Sequence, residues 1–215
     1  MKKLIMILVM AASLAVCVPA QATLLSDLLV QGATITSGDK LFSNFHDWAT
    51  TSVNPADIVV SPYQDPTNSE YGLKFTSSAL RLDSGGGLTA EFAFIVTPTL
   101  PGFLISDNTL TMTGSGNGVM YLTETATDAA NETTQLAFKN NYIMAGGLAQ
   151  KLTDHQVYTV PTLSVHVSKY IQVDWAGSTG PGPQLTEFTQ TFSQVPEPAT
   201  MALLGLGGLL LRRRK

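Results

Sequence analysis

The sequence predicts an all-β protein, built as an antiparallel β-sandwich or jelly roll and followed by a short C-terminal hydrophobic helix. Apolar and polar residues alternate with a period of two, most clearly over Leu88–Thr97, as in strands that bury one face. The body is rich in Thr, Ser, Val and Gly, which favours strands and turns over helices. Short strand signals recur between clusters of Gly, Pro and Asn, a spacing typical of sandwiches.

The N-terminus has the three parts of a secretory signal peptide. Lys2 and Lys3 precede the apolar run Leu4–Val18, and the small residues Ala20 and Ala22 favour cleavage after Ala22. A retained anchor helix is the alternative, but a run of about fifteen residues is shorter than the roughly twenty that a spanning helix needs. We therefore expect residues 1–22 to engage the Sec translocon and signal peptidase.

Cys17 lies inside this apolar run and raises the alternative of a lipid-modified cysteine. The preceding residue is Val16, where such signals need a small side chain, and this disfavours lipidation. Cleavage after Ala22 would remove the one cysteine of the chain. The exported body is then expected to form no disulfide of its own and to depend on core burial for stability.

The body, Thr23–Gln194, has the length of one domain. Its clearest strand, Leu88–Thr97, places Leu, Ala, Phe, Phe and Val on one face, which is expected to line the core. The other predicted strands are Leu28–Ile35, Lys40–Trp48, Ile58–Ser61, Tyr71–Thr76, Leu80–Asp83, Thr109–Thr113, Val119–Thr125, Gln135–Asn140, Leu163–Ser168, Tyr170–Trp175 and Thr186–Phe192.

Glycine-rich segments mark turns between these strands. Gly114–Gly118 predicts a hairpin turn, because it lacks the residue order of a nucleophile elbow and the Lys of a phosphate loop. Gly180–Pro183 is interpreted as a long turn, since a strand signal follows it. The stretch from Gln194 onward predicts a short linker to the C-terminal tail.

Charge excludes one broad class of partner. The body carries six basic and fifteen acidic residues, a balance of −9 against −4 for the whole chain. A surface this acidic repels phosphate backbones, so we expect no nucleic-acid binding. The charge suits solubility outside the cell or a loose association with cations and polysaccharide.

No catalytic set is apparent in the body. Its histidines are His46, His155 and His166. In a strand, His46 and its neighbour Asp47 would point to opposite faces, which does not suit a relay. None of the three is followed by a second histidine at metal-ligand spacing, and no cysteine remains for a thiolate. We expect no catalytic residues, no cofactor and no metal centre, although carboxylates distant in sequence can still converge into a hydrolase site.

Two further features suggest ligands. Asp65, Asn68 and Glu70 place three oxygen-bearing side chains on one loop, which fits either a calcium site or an ordinary Asx turn. Trp48 ends a predicted strand and is the candidate ligand-facing aromatic, since an exposed ring can stack on a sugar. Packing at the core or the sheet edge is the alternative for this ring.

The C-terminus, residues 195–215, combines a rigid handle, an apolar segment and a basic stop. Pro196, Glu197 and Pro198 precede about thirteen apolar residues, which cover roughly 20 Å of a hydrocarbon core near 30 Å. Such a span is short, and its glycines weaken it further. Four cations follow and are expected to stay on the cytoplasmic side: Arg212, Arg213, Arg214 and Lys215.

In order and spacing, these residues resemble the PEP-CTERM sorting signal of Gram-negative bacteria. The segment Gly38–Phe45 also resembles a stretch near the start of many ectodomains that carry this signal. The resemblance implies recognition by an exosortase, an integral-membrane cysteine protease, and cleavage near Pro196–Pro198. A plain C-terminal anchor with a chance Pro-Glu-Pro is the alternative.

The resemblance implies transient inner-membrane anchoring with the body outside, then release to the cell surface or extracellular matrix. Proteins of this kind are associated with exopolysaccharide and biofilm. We therefore expect a non-enzymatic surface or matrix protein whose partners are an exosortase and exopolysaccharide. The alternatives are a carbohydrate-binding module and an exported hydrolase.

Overall fold

The computed structural model describes residues 21–144, 149–175 and 180–198. The described chain forms two antiparallel sheets that pack face to face. The predicted all-β sandwich is thus confirmed. The predicted signal peptide up to Ala20, the predicted apolar helix and the basic stop lie outside the described residues.

The strands are long and the helical segments short. A helix of one turn, α1, spans Leu25–Leu28, and a 3₁₀ turn spans Pro55–Asp57. The strands are β1 (Thr23–Leu24), β2 (Thr34–Ser37), β3 (Lys40–Thr50), β4 (Ile58–Gln64), β5 (Tyr71–Ser77), β6 (Gly87–Pro98), β7 (Phe103–Ser115), β8 (Gly118–Asp128), β9 (Asn131–Ile143), β10 (Gln150–Lys151), β11 (Thr153–Thr162), β12 (Val165–Trp175) and β13 (Gln184–Pro196).

The first sheet has the order β1-β4-β5-β13-β7-β11 and the second β10-β9-β8-β12-β6-β3-β2. Side chains from both inner faces meet in one core. At its centre Phe75 of the first sheet stacks on Phe188, with ring centroids 4.6 Å apart, and both contact Phe92 of the second sheet. Among the described residues, no helix is long and apolar enough to cross a membrane.

Strand β3 contains two bulges. Its register with β6 shifts on each side of His46, and Asn44 and Asp47 have φ of 52° and 57°. The spacing of Phe42 and Phe45 indicates either such a bulge or one ring packed at a sheet edge, since an ideal strand would put the two rings on opposite faces. Both rings are buried against Phe94, at 6.0 and 5.2 Å between centroids, so the structure has the bulge.

Several predicted elements were wrong. Leu28–Ile35 contains the end of α1 and a turn before β2, and Leu80–Asp83 forms only an isolated bridge from Arg81 to Gln184. Gly114–Gly118 does not close a hairpin, because β7 and β8 belong to different sheets. A glycine-rich turn reverses the chain equally well within one sheet or between two.

Glycine at position 72 is required by close backbone packing between β5 and β13. A Cβ there would overlap the carbonyl oxygen of Gln190. We expect Gly72→Ala to destabilise the fold by about 1–3 kcal/mol, as overpacking does. Gly85→Ala is the control, because a Cβ added at this position would have no neighbouring atom within 4 Å. Urea denaturation of both variants checks this, and equal midpoints would contradict the close strand packing.

Candidate functional site

The chain leaves the sandwich along the last strand, β13. Up to Phe192 this strand is paired on both sides, by β5 and β7. Beyond that point the described pairing is with β7 alone, through Val195 opposite Leu104 and Pro196 opposite Phe103. The N–H of Glu197 then donates to the carbonyl oxygen of Gly102 at 2.7 Å. The linker predicted from Gln194 therefore does not begin there, and the sheet holds the chain as far as Glu197.

Proline fits the end of this strand. Pro196 has no N–H to donate, and such residues occur at sheet edges where no ladder partner is needed. Pro196 and Pro198 are exposed, while Glu197 between them is half-buried. The Pro-Glu-Pro segment thus lies at the end of β13, where the strand extends past its partner β5.

Two residues from the start of the domain hold this exit strand. Lys40, which is almost fully buried, lies 2.6 Å from the carboxylate of Asp39 and donates to Oε1 of Gln194 at 3.1 Å. Nε2 of Gln194 donates to Asp39 Oδ2 at 2.6 Å. The three side chains form a closed polar ring. The segment Gly38–Phe45 therefore fixes the chain two residues before Pro196.

Glu70 contacts the same strand. Its carboxylate accepts hydrogen bonds from Ser193 and from Oγ1 of Thr191, the latter at 3.1 Å. Together with Asp39, Lys40 and Gln194, it lines a polar cleft of about 270 Å³. This cleft lies directly beside the exit strand.

The proposed calcium ligands already have partners in the structure. Asp65 accepts from the N–H and the hydroxyl of Thr67, at 2.7 and 2.6 Å, and these hydrogen bonds lower the pKa of the Asp65 carboxyl. Asn68 Oδ1 accepts from the N–H of Glu70 at 3.0 Å. These are the bonds of Asx turns. The described residues contain no group of three His, Cys, Asp or Glu side chains that suits a metal.

The histidines are arranged differently from the expectation. His46 and His166 approach to 3.4 Å between their Nε2 atoms, and Asp47 lies 3.5 Å from His46 because the bulge breaks the strand alternation. Partial burial lowers the pKa of His166, opposed by Glu132. His155 lies in β11, 3.5 Å from Asp107. Sequence reasoning missed the contact between His46 and His166, since their strands, β3 and β12, are separated by β6.

Trp48 is half-buried, with its ring 6.4 Å from that of Phe92. Its role in ligand binding stays a prediction. The outer face of the second sheet carries another aromatic group, which we call the tyrosine face: Tyr121 and Tyr142 with ring centroids 6.4 Å apart, and Tyr170 on the adjoining strand β12. All three are partly exposed.

A group of polar side chains lies between the sheets, where apolar packing is expected. We call it the inter-sheet cluster: Asn108 and Gln190 of the first sheet, and Glu124, Lys139 and Lys169 of the second. All five residues have 0% exposure. The register places both lysines directly opposite Glu124, one on each neighbouring strand.

The contacts of the cluster converge on one carboxylate. Lys139 Nζ lies 3.1 Å from Oε1 of Glu124, and Lys169 Nζ contacts Oε2. Burial alone would raise the pKa of Glu124, but Lys169 and Lys139 outweigh it and lower the pKa. Burial lowers the pKa of Lys169 to about 8, against the opposing effect of Glu124.

Sequence analysis missed this cluster, although a signal was present. Lys169 occupies an apolar register between Val167 and Ile171, and Lys139 follows Ala137 in the same way. In a strand, such positions share the inward face. When each of two strands has a lysine at a position that faces the core, a buried acidic partner is indicated.

Comparison with known proteins identifies the C-terminal segment. Residues 194–215 match the family described as the PEP-CTERM protein-sorting motif. No curated protein matches the chain. The sorting motif that the sequence resembles is therefore present, and the body lies outside the match.

Similar solved structures include TmCBM61 in complex with β-1,4-galactotriose, at 15% identity and a TM-score of 0.35 over 70% of this chain and 88% of that one. The tailspike protein 4 of bacteriophage CBA120 has 14% identity and a TM-score of 0.33 over 70% of this chain, which spans only 20% of the tailspike chain. A family 29 carbohydrate-binding module has 7% identity and a TM-score of 0.28 over 83% and 87% of the two chains. Likenesses this distant carry no inference about the ligand of this chain.

Proposed function

Because the chain carries a PEP-CTERM sorting motif behind an all-β sandwich, we propose that it is an exported surface or matrix protein processed by an exosortase. Residues 1–22 are the signal peptide, 23–194 the body and 195–215 the sorting signal. The protein is held briefly in the inner membrane of a Gram-negative bacterium and then released. The observation that carries this proposal is the motif match over residues 194–215.

The geometry of the exit strand supports such processing. A protease needs an extended and accessible segment, and Pro196–Pro198 lies at the end of β13, with both prolines exposed and with strand pairing on one side. The short apolar tail and its four cations would hold this segment near the membrane on the outer side. Cleavage there would separate the sandwich from its anchor and leave the core unchanged.

The test is substitution within the handle. We expect Glu197→Ala to keep the protein in the membrane fraction with its tail attached, in a host that contains the exosortase, because the recognised side chain is lost. Glu187→Ala is the matched control, since this glutamate lies on β13, the strand that precedes Glu197, and pairs loosely with Lys74 at 3.6 Å. Cell fractionation and an intact-mass measurement show where each variant is located and whether its tail is attached. Normal release of Glu197→Ala would contradict the role given to the handle.

Outside the cell, the sandwich acts in the exopolysaccharide matrix without catalysis. This proposal is supported by the acidic body and by histidines whose hydrogen bonds go to each other and to the carbonyl of Asn44. A screen of glycosidase and esterase substrates with the purified protein tests it. If the purified protein still turns over a substrate, the non-catalytic proposal is wrong and the exported-hydrolase alternative is favoured.

The tyrosine face favours one second function, carbohydrate binding. Three partly exposed rings lie on neighbouring strands beside Gln172 and Asp174, which are hydrogen-bonded at 2.5 Å. Rings can stack on the apolar faces of sugars while such polar groups bind hydroxyls. A glycan array with the wild type, Tyr142→Ala and Trp48→Ala distinguishes this face from the Trp48 site. If the wild type binds no glycan on the array, carbohydrate binding is contradicted.

A further inference from the structure

The inter-sheet cluster contains three groups arranged for a covalent reaction. Nζ of Lys139 contacts the side-chain Oδ1 of Asn108, and Nδ2 of Asn108 donates to Oε1 of Glu124 at 2.5 Å. The same Oε1 lies 3.1 Å from Nζ of Lys139. An amine, a carboxamide and a carboxylate from β9, β7 and β8 thus touch one another, with no exposure to water.

We propose that Lys139 and Asn108 join in an intramolecular isopeptide bond, with Glu124 as the acid–base group. The bond would connect β9 of the second sheet to β7 of the first. It would be an internal modification of the folded chain, independent of sorting by the exosortase.

The charge of the cluster supports the reaction. Before it, two ammonium groups and one carboxylate are fully buried, and a buried cation without its own counter-charge is strongly unfavourable. Amide formation removes the charge of Lys139. The product retains one balanced pair, Glu124 with Lys169.

The chemistry balances without a further reagent. The ammonium of Lys139 passes a proton to Glu124, and the freed amine attacks Cγ of Asn108. The carboxylic acid then protonates Nδ2, and the C–N bond of the carboxamide breaks, so that ammonia departs. Glu124 passes the second proton of the attacking nitrogen to this ammonia, which leaves one hydrogen on the new amide nitrogen. One ammonium ion leaves and Glu124 is again a carboxylate. Glu124 is suited to these transfers, because one of its oxygens faces both nitrogens.

Geometry selects Asn108 over the second amide of the cluster. Lys169 contacts Oε1 of Gln190, yet Nε2 of Gln190 has no hydrogen-bond partner among the described residues. No acid therefore faces the nitrogen that would have to leave. Lys169 instead contacts the other oxygen of Glu124, and we assign it a positioning role.

Such a bond would supply what the sequence lacks. The chain has a single cysteine, Cys17, so it cannot close an intramolecular disulfide. A covalent link between the sheets would resist unfolding in the extracellular medium, as disulfides do in other exported proteins.

The test is a digest of the denatured full-length protein with a protease that cleaves after Glu. Cleavage at Glu132 separates Asn108 from Lys139 in sequence. We expect peptide 92–124 linked to peptide 133–187, lighter than their sum by about 17 Da, the mass of ammonia. Separate peptides with intact Asn108 and Lys139 would overturn the proposal.

Three variants sharpen this result. Lys139→Arg and Glu124→Gln are expected to give separate peptides, and a linked Glu124→Gln would overturn the acid–base role. Asn108→Asp is expected to remain linked with loss of water, about 18 Da, because a carboxyl replaces the carboxamide. Asn117–Gly118 can also lose ammonia by cyclisation, but that reaction links no peptides. The linked mass therefore identifies the isopeptide.

Discussion

Replacing Glu124 by alanine is expected to destabilise the folded state by about 3–5 kcal/mol, the cost of breaking a buried ion pair from one side. Lys139 and Lys169 would then lie between the sheets without a counter-charge, each with 0% side-chain exposure. The variant would also lose the proposed isopeptide. Its residues are 31 positions apart, and closing a loop of that size contributes about another 3–4 kcal/mol.

Urea denaturation followed by tryptophan fluorescence measures this effect. Glu132→Ala is the matched control, because Glu132 is exposed on β9 and surface substitutions usually change stability by less than about 0.5 kcal/mol. A second variant, Glu124→Leu with Lys139→Met and Lys169→Met, removes all three charges and is expected to be more stable than Glu124→Ala. Equal midpoints for Glu124→Ala and the wild type would show that the cluster is not buried.

Phe188→Ala is expected to cost about 3–5 kcal/mol, the range for large-to-small changes of a buried aromatic residue. Its ring stacks on Phe75 at an interplanar angle of 9° and contacts Phe92 from the opposite sheet. Truncation would remove the contact between the two layers at the centre of the core. The neighbouring strands pair along their length and cannot readily close the cavity.

Phe138→Ala provides the comparison, because this ring is 53% exposed on the outer face of β9. Its removal is expected to change stability by less than about 1 kcal/mol. Both variants can be followed by thermal unfolding with circular dichroism. A loss of stability for Phe138→Ala as large as that for Phe188→Ala would contradict the assignment of the inner and outer faces.

Local patterns predicted the strands that have one buried face. β6 was predicted almost to its ends, because Leu88, Phe92 and Val96 fall on one face of the strand and are buried as expected. Strand β11 was not predicted. It lies at the edge of the first sheet with Val157 and Val160 exposed. The order of apolar and polar residues along this strand therefore does not indicate which face is buried.

The features that remained hidden depend on contacts between distant residues. The polar ring of Asp39, Lys40 and Gln194 joins positions about 154 residues apart, and no local sequence pattern predicts it. The cluster around Glu124 likewise requires the strand order, since Lys139 and Lys169 are brought together only by their pairing with β8. The sorting motif was predictable, because its residues act in a continuous segment.

The measurement that tests the central claim most directly is the intact mass and cell fraction of this protein in matched hosts with and without the exosortase. We predict that the mass falls by the C-terminal tail, and that the protein moves from the membrane to the surface, only when the exosortase is present. If the full tail persists in the membrane of both hosts, the chain is a plain tail-anchored protein, and the function assigned to Pro196, Glu197 and Pro198 is wrong.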